Sequence, residues 1–330
     1  MDLVNHLEGR LLMAVPKKGR LNQASLDLLE GADIKFKREN RLDIALVKNL
    51  PIAILFLPAS DIPTFVGEGQ VDLGITGWDQ VKEHDARVRS YNRTRRASID
   101  GAAQGDIKSS RSEMVMPLDF GHCKLQVQAP MKGPYATGAD LVGKTIATSF
   151  VDLAAEHFAK LELGLDPATD GEDVTMPNKL RTKIIELSGS VEAACALGVA
   201  DGIVDLVESG ETMRAAGLKA LDTVVESESV LIKSRNPSNP ALVDLIASRI
   251  TGVINAKRFV LCQYNILRSS LADATKISPG KRAPTVTSLD EEGWCAVSIM
   301  VEKKKIAVVM DELTKVGAQD ILVLDIKNSR

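Results

Sequence analysis

Three features predict an α/β protein with two similar lobes and a small ferredoxin-like domain at its end. A pattern of glycine, short spacer, aspartate, buried strand and glycine turn occurs twice. It appears first as Gly69-Gln70-Val71-Asp72-Leu73-Gly74-Ile75-Thr76-Gly77, and again from Gly198 through Asp201 to Gly210. Apolar runs of strand length alternate with helical patterns up to residue 235, which is the signature of a layered α/β sheet. Residues 236–330 then read as a leading helix over 241–256, a strand over 258–264, a helix over 267–274, strands over 285–288 and 294–301, a helix over 304–316 and a strand over 320–326, the ferredoxin-like β-α-β-β-α-β order.

Leu11-Leu12-Met13-Ala14-Val15 is a continuous apolar run, hence a buried strand. The turn Pro16-Lys17-Lys18-Gly19-Arg20 leads from it into a helix over 21–29. Strand, glycine turn and helix start make a plausible anion site, because free N–H groups and the positive helix end converge there. The same turn also reads as a solvated basic loop. Residues 41–46, beginning at Arg41, alternate as a strand; 52–57 form a second strand and 61–66 a short helix. Residues 83–116 are polar and unpatterned, which marks a flexible surface excursion. This segment carries Arg87, Arg89, Arg93, Arg95 and Arg96 but only Tyr91 to stack on a base, so nucleic acid is not its partner. Leu118-Asp119-Phe120-Gly121 precedes a strand over 124–129.

Gly138-Ala139-Asp140-Leu141-Val142-Gly143-Lys144-Thr145 fits the P-loop pattern letter for letter. Its context is wrong. A P-loop follows a buried strand and opens a helix. Here turn-forming residues precede the motif and Ile146-Ala147-Thr148 follows as a strand. The sequence predicts a short helix, a glycine stop and a strand. After Thr148-Ser149-Phe150 come a helix over 153–163, a strand over 179–185 and the turn Ser188-Gly189-Ser190.

A helical run with Val191, Ala194, Cys195 and Leu197 on its apolar positions stops at Gly198. The strand Gly202-Ile203-Val204-Asp205-Leu206-Val207 follows, then Glu208-Ser209-Gly210-Glu211-Thr212 and a helix over 213–216. This turn suits a phosphate. Gly210 lets backbone approach an oxyanion, and the Ser209 and Thr212 hydroxyls add donors. Asp205 and Glu208 suit ribose hydroxyls, or a magnesium ion travelling with pyrophosphate. Phosphate, sugar and metal together point to a phosphorylated sugar donor such as phosphoribosyl pyrophosphate (PRPP). An ordinary helix start capped by Thr212 or Ser209 fits the same spacing. One more strand covers 224–233, and Asn236-Pro237-Ser238-Asn239-Pro240 is a turn-rich linker.

The composition, 45% hydrophobic and 26% charged with a net charge of −3, is that of a globular protein with no general attraction to nucleic acid or lipid. The four cysteines, Cys123, Cys195, Cys262 and Cys295, form no CxxC pair and read as reduced thiols. No apolar run reaches the ~20 residues that span a bilayer. The expectation is a soluble, cytoplasmic protein.

The stretch from Val191-Glu192 through Asp205-Leu206-Val207 to Ser209-Gly210-Glu211-Thr212-Met213 closely resembles the signature of the ATP phosphoribosyltransferases, in their long form. The resemblance runs through almost the whole chain, with 83–116 departing from it as an insertion. It implies a bilobed, periplasmic-binding-protein-like catalytic part and a C-terminal ACT-like domain that binds histidine. Residues 1–117 and 218–235 would form lobe I on the ATP side, 118–217 lobe II on the PRPP side, and 236–330 the regulatory domain. The implied reaction is transfer of the 5-phosphoribosyl group from PRPP to N1 of ATP, the first step of histidine biosynthesis, with Mg2+ and with feedback by histidine. The resemblance assigns Lys18, Gly19, Arg20, Arg41 and Asp119 to ATP, and Asp205, Glu208, Ser209, Gly210, Glu211 and Thr212 to PRPP. It places Asn265 and Thr285 near the regulatory histidine, where Lys281 and Asp320 replace apolar residues of relatives. AMP as a further ligand, and dimers assembling into hexamers, are also implied. Two other readings compete: a prephenate dehydratase-like enzyme, whose substrate has no phosphate for the Ser-Gly-x-Thr turn, and a non-enzymatic amino-acid sensor.

Overall fold

A computed structural model describes residues 7–38, 42–98, 112–166 and 180–330. In chain order the first part runs β1 (Leu11–Pro16), α1 (Asn22–Gly31), β2 (Ile44–Leu46), β3 (Ile52–Leu57), α2 (Ile62–Gly67), β4 (Leu73–Gly77), α3 (Trp78–Ser98) and β5 (Glu113–Pro117). A second sheet follows with β6 (Cys123–Pro130), β7 (Thr145–Thr148), α4 (Val151–Glu162), β8 (Lys183–Glu186), α5 (Ala193–Ala196), β9 (Gly202–Val207), α6 (Glu211–Ala215) and β10 (Leu218–Ser227). The chain returns to the first sheet with β11 (Ser229–Lys233).

The first sheet has the order β2-β3-β1-β4-β11-β5 and the second β10-β6-β9-β7-β8. Each contains a parallel trio, β3-β1-β4 and β8-β7-β9, next to an antiparallel strand that comes from beyond the crossover. The two repeated sequence patterns therefore build equivalent strands, β4 and β9. Their aspartates do equivalent work. Asp72 accepts the Leu12 N–H at 2.8 Å, and Asp201 accepts the Thr145 N–H at 2.9 Å, so each carboxylate pins its strand to the first strand of the trio. Gly69 and Gly198 precede them at φ +77° and +68°, a conformation that favours glycine. β1, β3 and β4 are buried on both faces, which explains their unbroken apolar runs, whereas β8 is a partly exposed edge strand.

Four sequence expectations are corrected. Residues 83–98 are not an irregular excursion: they belong to the long helix α3, with Glu83, His84 and Ala86 buried, and residues 113–116 lie in β5. Ala86 joins the core of Leu125, Val127, Ala154 and Phe158. The helix is hidden in the sequence because its inward face also carries charge, whose partners include Glu156 and backbone N–H groups of α4. Residues 99–111 of the expected insertion lie outside the described residues.

The single strand expected over 224–233 is two strands. β10 pairs with β6 and β11 pairs with β4 and β5, so the chain changes sheets at Glu228. Residues 218–227, expected in lobe I, thus pair within the second sheet. No glycine or proline marks the break, since extended backbone continues through it. The helix from Val191 shrinks to the four residues of α5, and Leu197 is 76% exposed rather than apolar-packed. The helix expected directly from 267 starts instead as a 3-10 turn, Arg268–Ser270.

The P-loop look-alike is a 3-10 turn, Gly138–Leu141, held by a reciprocal Thr137–Asp140 capping box. Gly143 follows at φ +77°, and Thr145 begins β7. No helix opens at Lys144-Thr145.

The last part contains α7 (Pro240–Arg258), β12 (Phe259–Leu267), α8 (Leu271–Ile277), β13 (Thr285–Ser288), β14 (Trp294–Glu302), α9 (Ile306–Lys315) and β15 (Gln319–Asp325). Its sheet is antiparallel in the order β13-β14-β12-β15, the ferredoxin-like arrangement. Val260, Cys262, Tyr264 and Ile266 alternate inward and pack with Cys295, Val297, Ile299 and Leu313. By compactness the chain divides into a unit up to Ser25 with Phe36–Val243, and another of Leu26–Lys35 with Asp244–Arg330.

Candidate active site

The loop after β9 begins at Glu208, and Asp205 lies within the strand itself. This residue lies on the sheet face of Ile203, with Val191 and Ala194 beside α5. Its carboxylate accepts the Leu206 N–H at 2.8 Å, and its carbonyl accepts Gln128 Nε2 at 3.3 Å. Burial pushes the Asp205 carboxyl above the usual range; the Leu206 N–H opposes this and the Glu192 charge adds to it. Gly210 is left-handed at φ +76° and is the N-cap of α6. The N-cap residue is thus Gly210 and not Ser209 or Thr212. Ser209 still accepts the Glu211 N–H of the first turn at its Oγ (3.4 Å), and Arg214 at its carbonyl (3.1 Å). The Thr212 hydroxyl takes no part in capping.

The turn after β1 is the counterpart. Lys17 pairs with Asp43 at 2.6 Å, Lys18 is exposed, and Gly19 sits at φ +87° with open space where a Cβ would be. Arg20 is turned into the protein, its side chain 23% exposed. It donates to the Gly121 carbonyl, to Asp79 at 3.4 Å and to Cys123 Sγ at 3.1 Å. Its Nε lies 3.7 Å from Glu208. The basic turn of the first sheet and the acidic turn of the second, far apart in sequence, thus meet through Arg20 and Glu208.

Asp119 lies in the crossing between sheets at φ +63°, with His122 Nε2 at 3.9 Å. Arg41 lies outside the described residues. In the C-terminal domain Asn265 pairs with Ala296 and Thr285 with Ser298, so the two share one sheet face with β14 between them. Asn265 Nδ2 donates to Asp320 at 2.9 Å, and Asp320 holds φ +49°.

Sequence reading missed Asp79 and Ser227. Asp79 is 1% exposed, and Ser227 Oγ both donates to its carboxylate at 2.5 Å and accepts its N–H at 2.9 Å. The available signal was an acid directly after the Gly77-Trp78 turn, in the repeat that echoes the donor loop.

The chain is a two-lobed α/β protein, an architecture in which ligands bind outside the carboxyl ends of the strands, and the glycine turns after β1 and β9 stand at such ends. A family model described as ATP phosphoribosyltransferase matches residues 58–252, and one described as the HisG C-terminal domain matches 256–328. The chain is 56% identical over 330 residues to the ATP phosphoribosyltransferase of Yarrowia lipolytica, and 51% over 331 residues to that of Saccharomyces cerevisiae, covering 100% of each chain in both cases. Among solved structures, the ATP phosphoribosyl transferase (HisG:HisZ) complex of Thermotoga maritima aligns at 21% identity with a TM-score of 0.55, over 74% of this chain and 98% of that one. The chain belongs to the ATP phosphoribosyltransferase family, and it is a transferase. Among the described residues no helix is long and apolar enough to cross a membrane.

Proposed function

We propose that the chain transfers the 5-phosphoribosyl group of PRPP to N1 of ATP, giving N1-(5-phosphoribosyl)-ATP and pyrophosphate as the first step of histidine biosynthesis. The adenine N1 lone pair attacks the anomeric carbon, and the bond from that carbon to the pyrophosphate oxygen breaks. The carrying observation is the approach of Arg20 Nε to within 3.7 Å of Glu208, which brings the turn after β1 beside the turn after β9. Asp205 and Glu208 accept ribose hydroxyls, while Ser209, Gly210, Glu211 and Thr212 present backbone and hydroxyl donors to the phosphates. Lys18, Gly19, Arg20 and Arg41 serve the ATP phosphates, and Asp119 the adenine. Catalysis on this reading is mainly positioning of two anions and stabilisation of the leaving group.

Carboxylate oxygens on the donor loop are the ligand type that Mg2+ takes, so the fit is to an ion arriving with PRPP. Bound there, it would neutralise the departing pyrophosphate. The C-terminal domain would bind histidine beside Asn265 and Thr285 as feedback inhibitor, AMP would compete at the ATP side, and the working form would be a cytoplasmic dimer or hexamer. Pyrophosphate release with ATP and PRPP, each omitted in turn and with histidine added, tests the proposal. Release that requires both substrates and falls with histidine supports it; release without ATP, or none with both, overturns it.

A further inference from the structure

The buried carboxylate of Asp79 has no part in the reaction just described. It stands at the start of α3, beside the two chain crossings between the sheets, β5 into β6 and β10 into β11. Hydrogen bonds join α3 and both crossings. Trp78 N–H donates to the Glu228 carbonyl at 2.8 Å, and Ser229 donates to the Phe120 carbonyl from its N–H at 2.9 Å and its hydroxyl at 2.8 Å. Asp79 Oδ1 takes Ser227 and Arg20, while Oδ2 takes Gln80 Nε2 at 2.8 Å. A buried charge needs a partner of opposite sign, and the guanidinium of Arg20 is the cation beside Asp79.

Arg20 presents a rigid planar fork. With one end fixed on Asp79 and the Gly121 carbonyl, its Nε edge is directed to Glu208 on the donor loop. The residue immediately before it, Gly19, is the turn proposed for ATP phosphates. We infer that Asp79 is a positioning residue for the transfer reaction: through Arg20 it fixes the register of the ATP turn against the donor loop at the sheet crossings. This rests on the reading given under the proposed function. Asp79 itself touches neither substrate.

The test is steady-state pyrophosphate release by the full chain carrying Asp79→Asn, Arg20→Ala, or both. Asparagine keeps the shape and the Ser227 contact but lacks the charge that orients the guanidinium. Since small misplacements of reacting groups cost up to about a hundredfold, kcat/KM for PRPP should fall about ten- to hundredfold in Asp79→Asn. The double variant should be no slower than Arg20→Ala alone, because Asp79 acts only through Arg20; a merely structural role would make the two losses multiply. Should Asp79→Asn not fold, Ser227→Ala, which frees one side of the carboxylate, should show a smaller loss that Arg20→Ala again absorbs. Rates within twofold of wild type, or multiplicative losses, overturn the inference while the wild-type activity stands. An inactive wild type overturns the underlying reading, and the inference with it.

Discussion

The Glu83 carboxylate accepts the backbone N–H groups of Asp152 and Leu153, one on each oxygen and both at 2.9 Å, at the first turn of α4. α3 follows a strand of the first sheet, yet it packs on the helix of the second. Arg89 reinforces this with a paired contact to Glu156 at 2.7 and 3.0 Å, joined by Arg93 at 3.4 Å. Glu83→Ala removes the cap and leaves two buried N–H groups without it. The expected cost is about 1–2 kcal/mol, seen as a lower urea midpoint at unchanged slope.

Burial holds the Asp205 carboxyl above its ordinary value of 3.8. A carboxylate with a raised folded-state pKa binds its proton more tightly when folded, so ionising it costs folding stability above that pKa. Asp205→Asn should therefore raise the Tm at neutral pH, and the gain over wild type should shrink as pH falls through the raised pKa toward 3.8. PRPP turnover should fall in the same variant. A lower Tm at neutral pH would contradict the burial argument.

Thr212 caps nothing, so its hydroxyl is available to the donor. A hydrogen bond to a charged group contributes about 1.5–3 kcal/mol, and Thr212→Val should lower kcat/KM for PRPP about tenfold or more while leaving the Tm where it is. Wild-type kcat/KM in this variant would remove the loop from the proposed donor site.

Lys144 follows a left-handed glycine and opens no helix. Lys144→Ala should leave ATP affinity unchanged by calorimetry. A hundredfold loss would restore the P-loop assignment.

Asn265 and Asp320 form a hydrogen-bonded pair on one sheet face of the C-terminal domain. If that face takes histidine, Asn265→Ala should raise the histidine concentration for half-inhibition about tenfold, the value of one good hydrogen bond. Unchanged inhibition would move the effector elsewhere.

Much of the fold was legible in the sequence. β3 and β9 fall on the expected residues, because a buried strand writes its length as an apolar or alternating run. The repeated Gly-x-x-Asp pattern identified two equivalent strands. Asp72 and Asp201 show why it recurs: each carboxylate closes the same local junction. α3 was illegible for the opposite reason. Its buried face is part charge, and Glu83, Arg89 and Arg93 look like solvent residues until α4 supplies their partners.

The sequence by itself determined most of the strands, the glycine turns after β1 and β9, the ferredoxin-like order of the last domain and the residue types on offer at residues 205–212. Those depend on neighbours a few positions away. The tertiary structure alone decided that the chain changes sheets at Glu228, that α3 rides on α4, and that Arg20 faces Asp79 and Glu208 rather than solvent. Each of these is set by groups brought together from distant parts of the chain, and the energy of a buried charge depends on which partner the fold delivers, not on the residues beside it.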